Sequence, residues 1–370
     1  MRVCHICSNY DKFFENFMEE QRKKGLKLRV FYFRARERGW PDVTSSYVDV
    51  RLNYSNWQRP FFYLKEQTVL KDFFSIYKKH DFDIVHAHTL FSNGYIALKV
   101  KKHWGLPYIV AVRDVDVNIF FKYRINLRAF GVRILNEAER IIFLSPMYRD
   151  YVLSKYIPMR LRDEFYNKSL IIPNGIDPYF LNNKVLKSSI DRDRPIQIIT
   201  VGYVCKRKNQ LSVCDAAKLL NSSGIKTTYT IIGKILDKRI MNKINKYPFV
   251  NYKSFLPKEE LIEEYRRSDI YVMPSITETF GLTYAEAMSQ GLPVIYTKGQ
   301  GFDGQFEDGV VGYSVNCFDA QDIANKVIKI LDKYEEHSRN CVRLCNKFDW
   351  GKIAVKYIEL YESIVKGENL

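Results

Sequence analysis

Short apolar runs alternate along this chain with stretches whose apolar positions recur at helical spacing. In the first half the runs are Arg2 to Ser8, 27–33 (KLRVFYF), 82–88 (FDIVHAH), 107–114 (PYIVAVRD), 140–145 (RIIFLS) and 169–177 (SLIIPNGID). Between them, helical patterns fall near 13–24, stopped by Gly25, near 94–103, and along 118–138. A polar stretch, 182–195, ends in Pro195 and reads as a linker. The alternation then restarts with PIQIITVGYV (195–204), a helix near 209–222, TYTIIGK, FVNYKSF, a helix near 258–267, DIYVMPS, TYAEAMSQ and LPVIYT. Continuous apolar strands separated by helices predict parallel sheets covered on both faces. The expected architecture is therefore α/β, with two Rossmann-like doubly wound domains, residues 1–183 and 184–347, facing across a cleft. In such sheets ligands sit beyond the carboxyl ends of the strands.

Composition narrows the class. At 370 residues, 46% hydrophobic and 27% charged, the chain has globular values and length for two domains. The start, MRVCHICSNY, lacks the charged and long apolar regions of a secretory leader, and no apolar run is long enough for a membrane span. The seven cysteines are scattered and fall mostly in apolar segments, which suits reduced, buried thiols. Cys4 and Cys7 have C-x-x-C spacing, but no second pair lies nearby to complete a metal site. These features predict a cytoplasmic protein. The formal charge of +16 favours anionic partners such as nucleic acid, an acidic membrane or phosphorylated substrates, without choosing among them.

Chemistry concentrates in PSITETFGLTYAE, residues 274–286. DIYVMPS reads as a buried strand, which places Glu278 in the loop beyond its end. Gly281 and Leu282 then fall at the start of a helix that Gly291 and Pro293 stop. A helix N-terminus offers unpaired N–H groups to a phosphate, and glycine lets backbone approach it closely. Glu278 and Glu286 flank that position and can accept hydrogen bonds from hydroxyls on either side. A phosphate between two polyols describes a nucleotide sugar. Read on spacing alone, a helix cap and an exposed helical charge fit the two glutamates equally well.

The same residues carry a resemblance. Pro274 to Ile295 resembles the E-x7-E signature of glycosyltransferase family 4, retaining enzymes of GT-B fold. FDIVHAHTLFSNGYIAL (82–98), LIIPNGID (170–177), VGYVCKRKN (201–209), FLPKEELIEEY (255–265) and FDWGKIAVKYIELYESI (348–364) also look like family segments. The resemblance implies that Gly202, Arg207 and Lys208 hold the donor diphosphate of a UDP- or GDP-sugar. It implies that Phe280, Gly281 and Leu282 offer backbone amides, that Glu278 binds the donor sugar and that Glu286 binds the ribose. It further implies that 348–370 forms a helix returning to the first domain. Glu278, Lys208 and Arg113 are the expected catalytic residues, with Glu278 holding sugar hydroxyls rather than acting as nucleophile. No metal or other cofactor is expected. Gly299 to Gln305 is expected to help shape the donor pocket.

Several positions depart from the family pattern. Tyr203 stands where an arginine is usual. Ser8, Asn9 and Tyr10 replace a Gly-Gly loop after the first strand. Arg113-Asp114, followed by Asp116, stands where His-Gly is common. These residues either bind sugar hydroxyls or an acceptor phosphate, or form a structural ion pair. His86 and His88 are read as lining a strand end in the cleft. Two alternate positions supply only two metal ligands, and the sequence nominates no third.

The acceptor side is read from charge. FFKYRINLRAFGVR (120–133), with QRKKGLKLR (21–29) and KVKKHW (99–104), concentrates basic and aromatic residues in the first domain. That pattern suits peripheral contact with the inner, anionic membrane face and a lipid-linked acceptor, such as an undecaprenyl-diphosphate glycan; a glycan acceptor in surface polysaccharide synthesis is what the resemblance implies. A solvated face over a core stripe is the plainer alternative. A nucleic-acid binder is disfavoured because no recognition module is present. A nucleotide-sugar epimerase or hydrolase of the same fold stays open, since fold does not determine reaction.

Overall fold

The computed structural model describes residues 1–191 and 193–368. Arg192, in the expected linker, and Asn369 and Leu370, at the end of the expected returning helix, lie outside the described residues. Two compact units emerge. The first comprises Met1–Leu144, Arg149–Pro173 and the chain from Trp350; the second comprises Ser145–Tyr148 and Asn174–Asp349.

The first unit is built on seven strands: β1 (Arg2–Cys7), β2 (Lys27–Ala35), β3 (Val48–Tyr54), β4 (Ile84–Ala87), β5 (Tyr108–Ala111), β6 (Arg140–Phe143) and β7 (Ser169–Ile171). They form one parallel sheet in the order β3-β2-β1-β4-β5-β6-β7. The second unit contains β8 (Ile196–Val201), β9 (Thr227–Ile232), β10 (Val250–Lys253), β11 (Ile270–Met273), β12 (Val294–Thr297) and β13 (Gly312–Val315). These too are parallel, ordered β10-β9-β8-β11-β12-β13. In both sheets the order reverses beside the first strand, which opens a crevice at its carboxyl end. The expected pair of doubly wound Rossmann-like sheets is what the chain forms.

The helix Trp350–Lys366 belongs to the first unit and packs on Lys12–Lys23. Phe13 meets Trp350 with ring centroids 4.9 Å apart, Phe17 meets Tyr357 at 5.0 Å, and Gln21 Nε2 donates to Tyr361 Oη at 3.3 Å.

Three sequence expectations need correction. The chain joins the second unit from Asn174, ahead of the polar linker. The short helix Pro178–Asn182 is anchored there because Phe180 is buried, with its ring 6.1 Å from that of Tyr265 and its carbonyl accepting from Gln290 Nε2. The single long helix over 118–138 is instead a π-helical turn (Asp116–Phe121), a 3-10 turn (Ile125–Leu127) and an α-helix (Arg128–Glu137). Neighbouring aromatics pull the chain in two directions: Phe120 stacks on Phe91 at 4.5 Å, and Phe121 on Tyr156 at 5.0 Å. Arg128 Nε then takes the Phe121 carbonyl at 2.6 Å, satisfying a group the broken helix leaves exposed. Finally, β3 and the helix Phe62–Ile76 are absent from the sequence expectation, although Val48–Tyr54 alternates apolar and polar residues as an edge strand does.

Candidate active site

At the carboxyl end of β8 the chain turns through Gly202, whose φ of 154° is open to glycine. The ends of β8 and β9 approach so closely that a methyl on Gly233 would lie 2.2 Å from the Gly202 carbonyl oxygen. Beyond Gly202, Lys206–Lys208 form one 3-10 turn and Asn209 follows with φ of 56°. Asparagine tolerates that left-handed geometry better than most residues. Asn209 Nδ2 donates to the carbonyls of Pro274 (3.2 Å) and Cys317 (2.5 Å), fixing the basic turn over the loop that leaves β11.

That loop brings Glu278 to the two cations. Lys208 Nζ donates to Glu278 Oε2 at 2.6 Å and lies 3.3 Å from Met273 Sδ; both side chains are about nine-tenths buried. Arg207 is more exposed, sits 3.6 Å from the same carboxylate and donates to the Thr277 carbonyl at 3.0 Å. Ser275 Oγ reaches Glu278 Oε2 at 3.4 Å. The segment Gly299 to Gln305 braces the loop: Gln300 Oε1 accepts from the Glu278 N–H at 2.9 Å, and the Gly301 N–H donates to the Glu278 carbonyl at 2.8 Å.

Gly281 caps the helix Leu282–Ser289 with φ of 80°, and a methyl on it would lie 2.6 Å from the Tyr284 ring. Tyr284 is buried and its hydroxyl donates to the Met273 carbonyl, so the ring has no room to yield. Phe280 is buried, 5.6 Å from Phe348 between ring centroids, which leaves its backbone rather than its side chain available to a ligand. Leu282 is half-buried at the first turn. Gly281→Ala is expected to destabilise the protein by about 1–2 kcal/mol, for a strained φ at a non-glycine residue. Chemical denaturation reads this effect, and an unchanged midpoint contradicts the geometry.

Glu286 sits one turn into that helix. Its residue keeps some exposed surface, but its carboxyl is surrounded by protein and pushed up to about 7. Burial is the main cause; the Tyr265 hydroxyl, donating at 3.1 Å, opposes it, and the Asp177 carboxylate adds to it. Tyr265 is held in turn by the helix Lys258–Arg267, whose last carbonyls bind Lys187 Nζ, at 2.7 Å for Arg266. Gly202, Arg207, Lys208, Glu278, Phe280, Gly281, Leu282 and Glu286 thus share the carboxyl edge of one sheet, around the crevice between β8 and β11.

The residues expected on the acceptor side all belong to the first unit, and they divide by exposure. Ser8 is half-buried and Asn9 exposed after β1, with Asn9 Nδ2 3.3 Å from Asp11 Oδ2. Arg113 is half-buried and Asp114 exposed after β5; Asp114 accepts from Asn118 Nδ2 at 2.7 Å. Asp116, by contrast, is fully buried. Its carboxylate accepts from the N–H groups of Leu90 (2.9 Å), Phe91 (3.2 Å) and Arg113 (2.9 Å), tying the loops after β4 and β5 together. Burial pushes it up to about 6 despite those three bonds.

His86 and His88 are also buried, which corrects their reading as residues lining an open strand end. The fold supplies the third histidine that the sequence does not nominate. His5 on β1 lies in register with His86 on β4, and ligand atoms of His5, His86 and His88 all fall within 4.8 Å of one another. His5 Nδ1 is 3.0 Å from His88 Nε2, and His86 Nδ1 is 2.6 Å from Tyr361 Oη. Burial lowers all three, His5 to about 3, and holds the imidazoles neutral; the nearby Arg113 cation adds to this for His86 and His88. The donor set resembles a tri-histidine metal site, but a neighbouring guanidinium opposes a dication in a dry core. Each ring also keeps one buried nitrogen without a hydrogen-bond partner: His5 Nε2, His86 Nε2 and His88 Nδ1.

Tyr265, Ser275, Gln300 and Asn209 fall inside segments named above, 255–265, 274–295, 299–305 and 201–209, but the sequence alone assigns none of them an individual role.

Residues 12–180 match the family described as Glycosyltransferase Family 4, and residues 183–343 match Glycosyl transferases group 1. An uncharacterized glycosyltransferase of Methanocaldococcus jannaschii is 24% identical over 299 residues, covering 78% of each chain. An Escherichia coli UDP-Gal:alpha-D-GlcNAc-diphosphoundecaprenol alpha-1,3-galactosyltransferase is 23% identical over 334 residues, 82% of this chain and 81% of that relative. Among solved structures, sucrose-phosphate synthase from Thermosynechococcus elongatus superposes with a TM-score of 0.76 at 17% identity, covering all of both chains. Anabaena HepE in complex with UDP and glucose does so with a TM-score of 0.68 at 16% identity, covering 98% of this chain and all of that one.

Proposed function

Because the chain belongs to glycosyltransferase family 4 and has the GT-B fold, we propose that it moves a sugar, with retention, from a UDP- or GDP-sugar to a glycan or lipid-linked acceptor in surface polysaccharide synthesis. The observation that carries this reading is the meeting of Lys208 and Arg207 with Glu278 beside the N-terminus of Leu282–Ser289. Two cations and a helix N-terminus on one edge suit a diphosphate, and Glu278 and Glu286 bracket that position as hydroxyl acceptors. The galactosyltransferase relative names a UDP-sugar and a diphosphoundecaprenol acceptor, and HepE holds UDP and glucose, which supports this choice of substrates.

In the reaction, the anomeric carbon–phosphate oxygen bond breaks while the acceptor oxygen bonds to that carbon on the same face. The acceptor proton passes to the departing phosphate oxygen. The second unit's residues hold the donor. Lys208 and Arg207 exchange Glu278 for the diphosphate and meet the charge that grows on it, in place of a metal ion. Released from Lys208, the Glu278 carboxylate accepts hydrogen bonds from the transferred sugar. Asn9, Arg113 and Asp114, at the carboxyl edge of the first sheet, are assigned to the acceptor, with Arg113 suited to an acceptor phosphate.

A thermal-shift screen of UDP, GDP, ADP and their sugar conjugates tests the donor half. One nucleotide family is expected to raise the melting temperature by several degrees at 100-fold excess over Kd, a stabilisation of about 2.7 kcal/mol. No shift with any of them removes the proposal. Sugar release without acceptor, at the rate seen with acceptor, would replace transfer with hydrolysis.

A further inference from the structure

Two segments of the first unit come together although 51 residues of sequence lie between them. Residues 56–65 (NWQRPFFYLK) follow β3, and residues 117–136 follow β5; between them they hold six Lys or Arg and no carboxylate. Arg124 Nη2 donates to the Pro60 carbonyl at 2.6 Å. Phe62 meets Phe120 with centroids 5.8 Å apart, and Tyr63 meets Phe130 at 5.8 Å. These ring contacts join the segments, and other apolar side chains beside them stay in solvent. Trp57 is 63% exposed, Phe61 60%, Ile119 52%, Tyr123 68% and Ile125 66%, with Tyr63 and Leu64 also exposed. Arg59, Lys122 and Arg133 are exposed among them, and Lys122 Nζ lies 5.1 Å from the Tyr123 ring centroid.

We infer that this aromatic and basic rim, Trp57–Leu64 with Ile119–Ile125, is the surface by which the protein docks on an anionic lipid bilayer. Exposed apolar side chains gathered in one patch mark an interaction surface, and Trp and Tyr favour the boundary between headgroups and acyl chains. Carboxylates reach only the ends of the two segments: Glu37 accepts from the Asn56 N–H, Glu66 pairs with Lys65, and Asp114 accepts from Asn118. The exposed cations Arg59 and Lys122 make the patch complementary to anionic headgroups. The need for the two features together separates a bilayer from a protein partner, since Lys and Arg reach phosphates while neighbouring Trp, Phe and Ile enter the acyl boundary. Both segments leave their sheet at its carboxyl edge, the edge that also carries Asn9, Arg113 and Asp114. Docking there places the acceptor-side loops against the membrane. Its purpose rests on the lipid-linked acceptor reading; its residues and contacts do not.

The test is flotation of the full chain with phosphatidylcholine vesicles, with and without 30% phosphatidylglycerol, at low and high salt. Binding is expected with phosphatidylglycerol at low salt, falling at least tenfold without it or at high salt. Trp57→Ala/Phe61→Ala/Ile125→Ala is expected to lose at least tenfold in binding while keeping its melting temperature and its nucleotide-induced shift. Arg59→Gln/Lys122→Gln is expected to lose the preference for anionic lipid. A blue shift of tryptophan fluorescence on vesicles, absent in Trp57→Phe, places that ring in the bilayer. Absence of wild-type binding at low salt, or unchanged binding by the triple variant, overturns the proposal. So does dimerisation in sedimentation analysis that the triple variant abolishes, which would assign the rim to a second copy. Vesicle binding without any nucleotide shift overturns the donor assignment and leaves this surface standing; the reverse result overturns the surface alone.

Discussion

Lys208→Ala lowers the rate of sugar transfer by about 10²–10³-fold, the scale on which removing one fixed donor to developing negative charge acts. The ammonium is nine-tenths buried and already desolvated, so it meets the leaving diphosphate without first shedding water. Arg207, more exposed and 3.6 Å from Glu278, keeps part of the charge on that edge and sets the lower bound of the loss. The variant has a second cost. Glu278 is left a buried carboxylate with only its weaker partners, Arg207 and Ser275, which destabilises the fold by about 1–3 kcal/mol. Adding Glu278→Gln removes that penalty but not the catalytic loss. The double variant should therefore regain its melting temperature while staying inactive. Transfer within threefold of wild type by Lys208→Ala would refute the assignment.

Glu286→Gln is expected to make the protein more stable and less able to bind nucleotide. The folded carboxyl titrates near 7, above its ordinary value of 4.5, because burial disfavours the anion. The folded state therefore holds its proton where the unfolded state has lost it, and stability falls as pH rises from about 4.5 to 7, then levels off. The shift corresponds to roughly 2 kcal/mol after allowing for partial exposure of the residue. Glutamine keeps the acceptor for Tyr265 and carries no charge, so the variant should melt a few degrees above wild type at pH 8 and level with it near pH 4.5. A hydroxyl bound to the carboxylate favours the ionised form, so wild-type nucleotide affinity rises between pH 6 and 8. The variant should bind about tenfold or more weakly at pH 8, as for loss of a hydrogen bond to a charged group. Equal melting curves at pH 8 would show that the carboxyl is not held in the buried state described.

What the chain disclosed before folding follows from what is local. The strand and helix alternation is local, and so are the glycine at a helix start and the E-x7-E spacing, so the residues that gather at the carboxyl edge of the second sheet were legible nearly residue by residue. The partners of those residues were not. Tyr265 reaches Glu286 from another helix, and Gln300 reaches Glu278 from a loop 22 residues on; neither follows from spacing. His5 joins His86 and His88 only through the register of β1 on β4. The break within 118–138 is likewise tertiary. No proline or capping signal marks it, and Phe91 and Tyr156 decide it by stacking on successive phenylalanines. The same tertiary pairing assembles the Trp57 and Tyr123 rim from segments that each look unremarkable alone.

The Asp116 bracket separates what is free to vary from what is not. One buried side chain holds backbone from two loops, at Leu90, Phe91 and Arg113, through bonds that depend on no neighbouring side chain's identity. Exposed Asn9 and Asp114 can therefore change without loosening the loop frame. On the proposed acceptor assignment, a lineage could explore new acceptors by drifting at those exposed positions while Asp116 is kept. Selection on substrate and selection on fold would then act on different codons, which is the condition under which a family spreads across many acceptors on one scaffold.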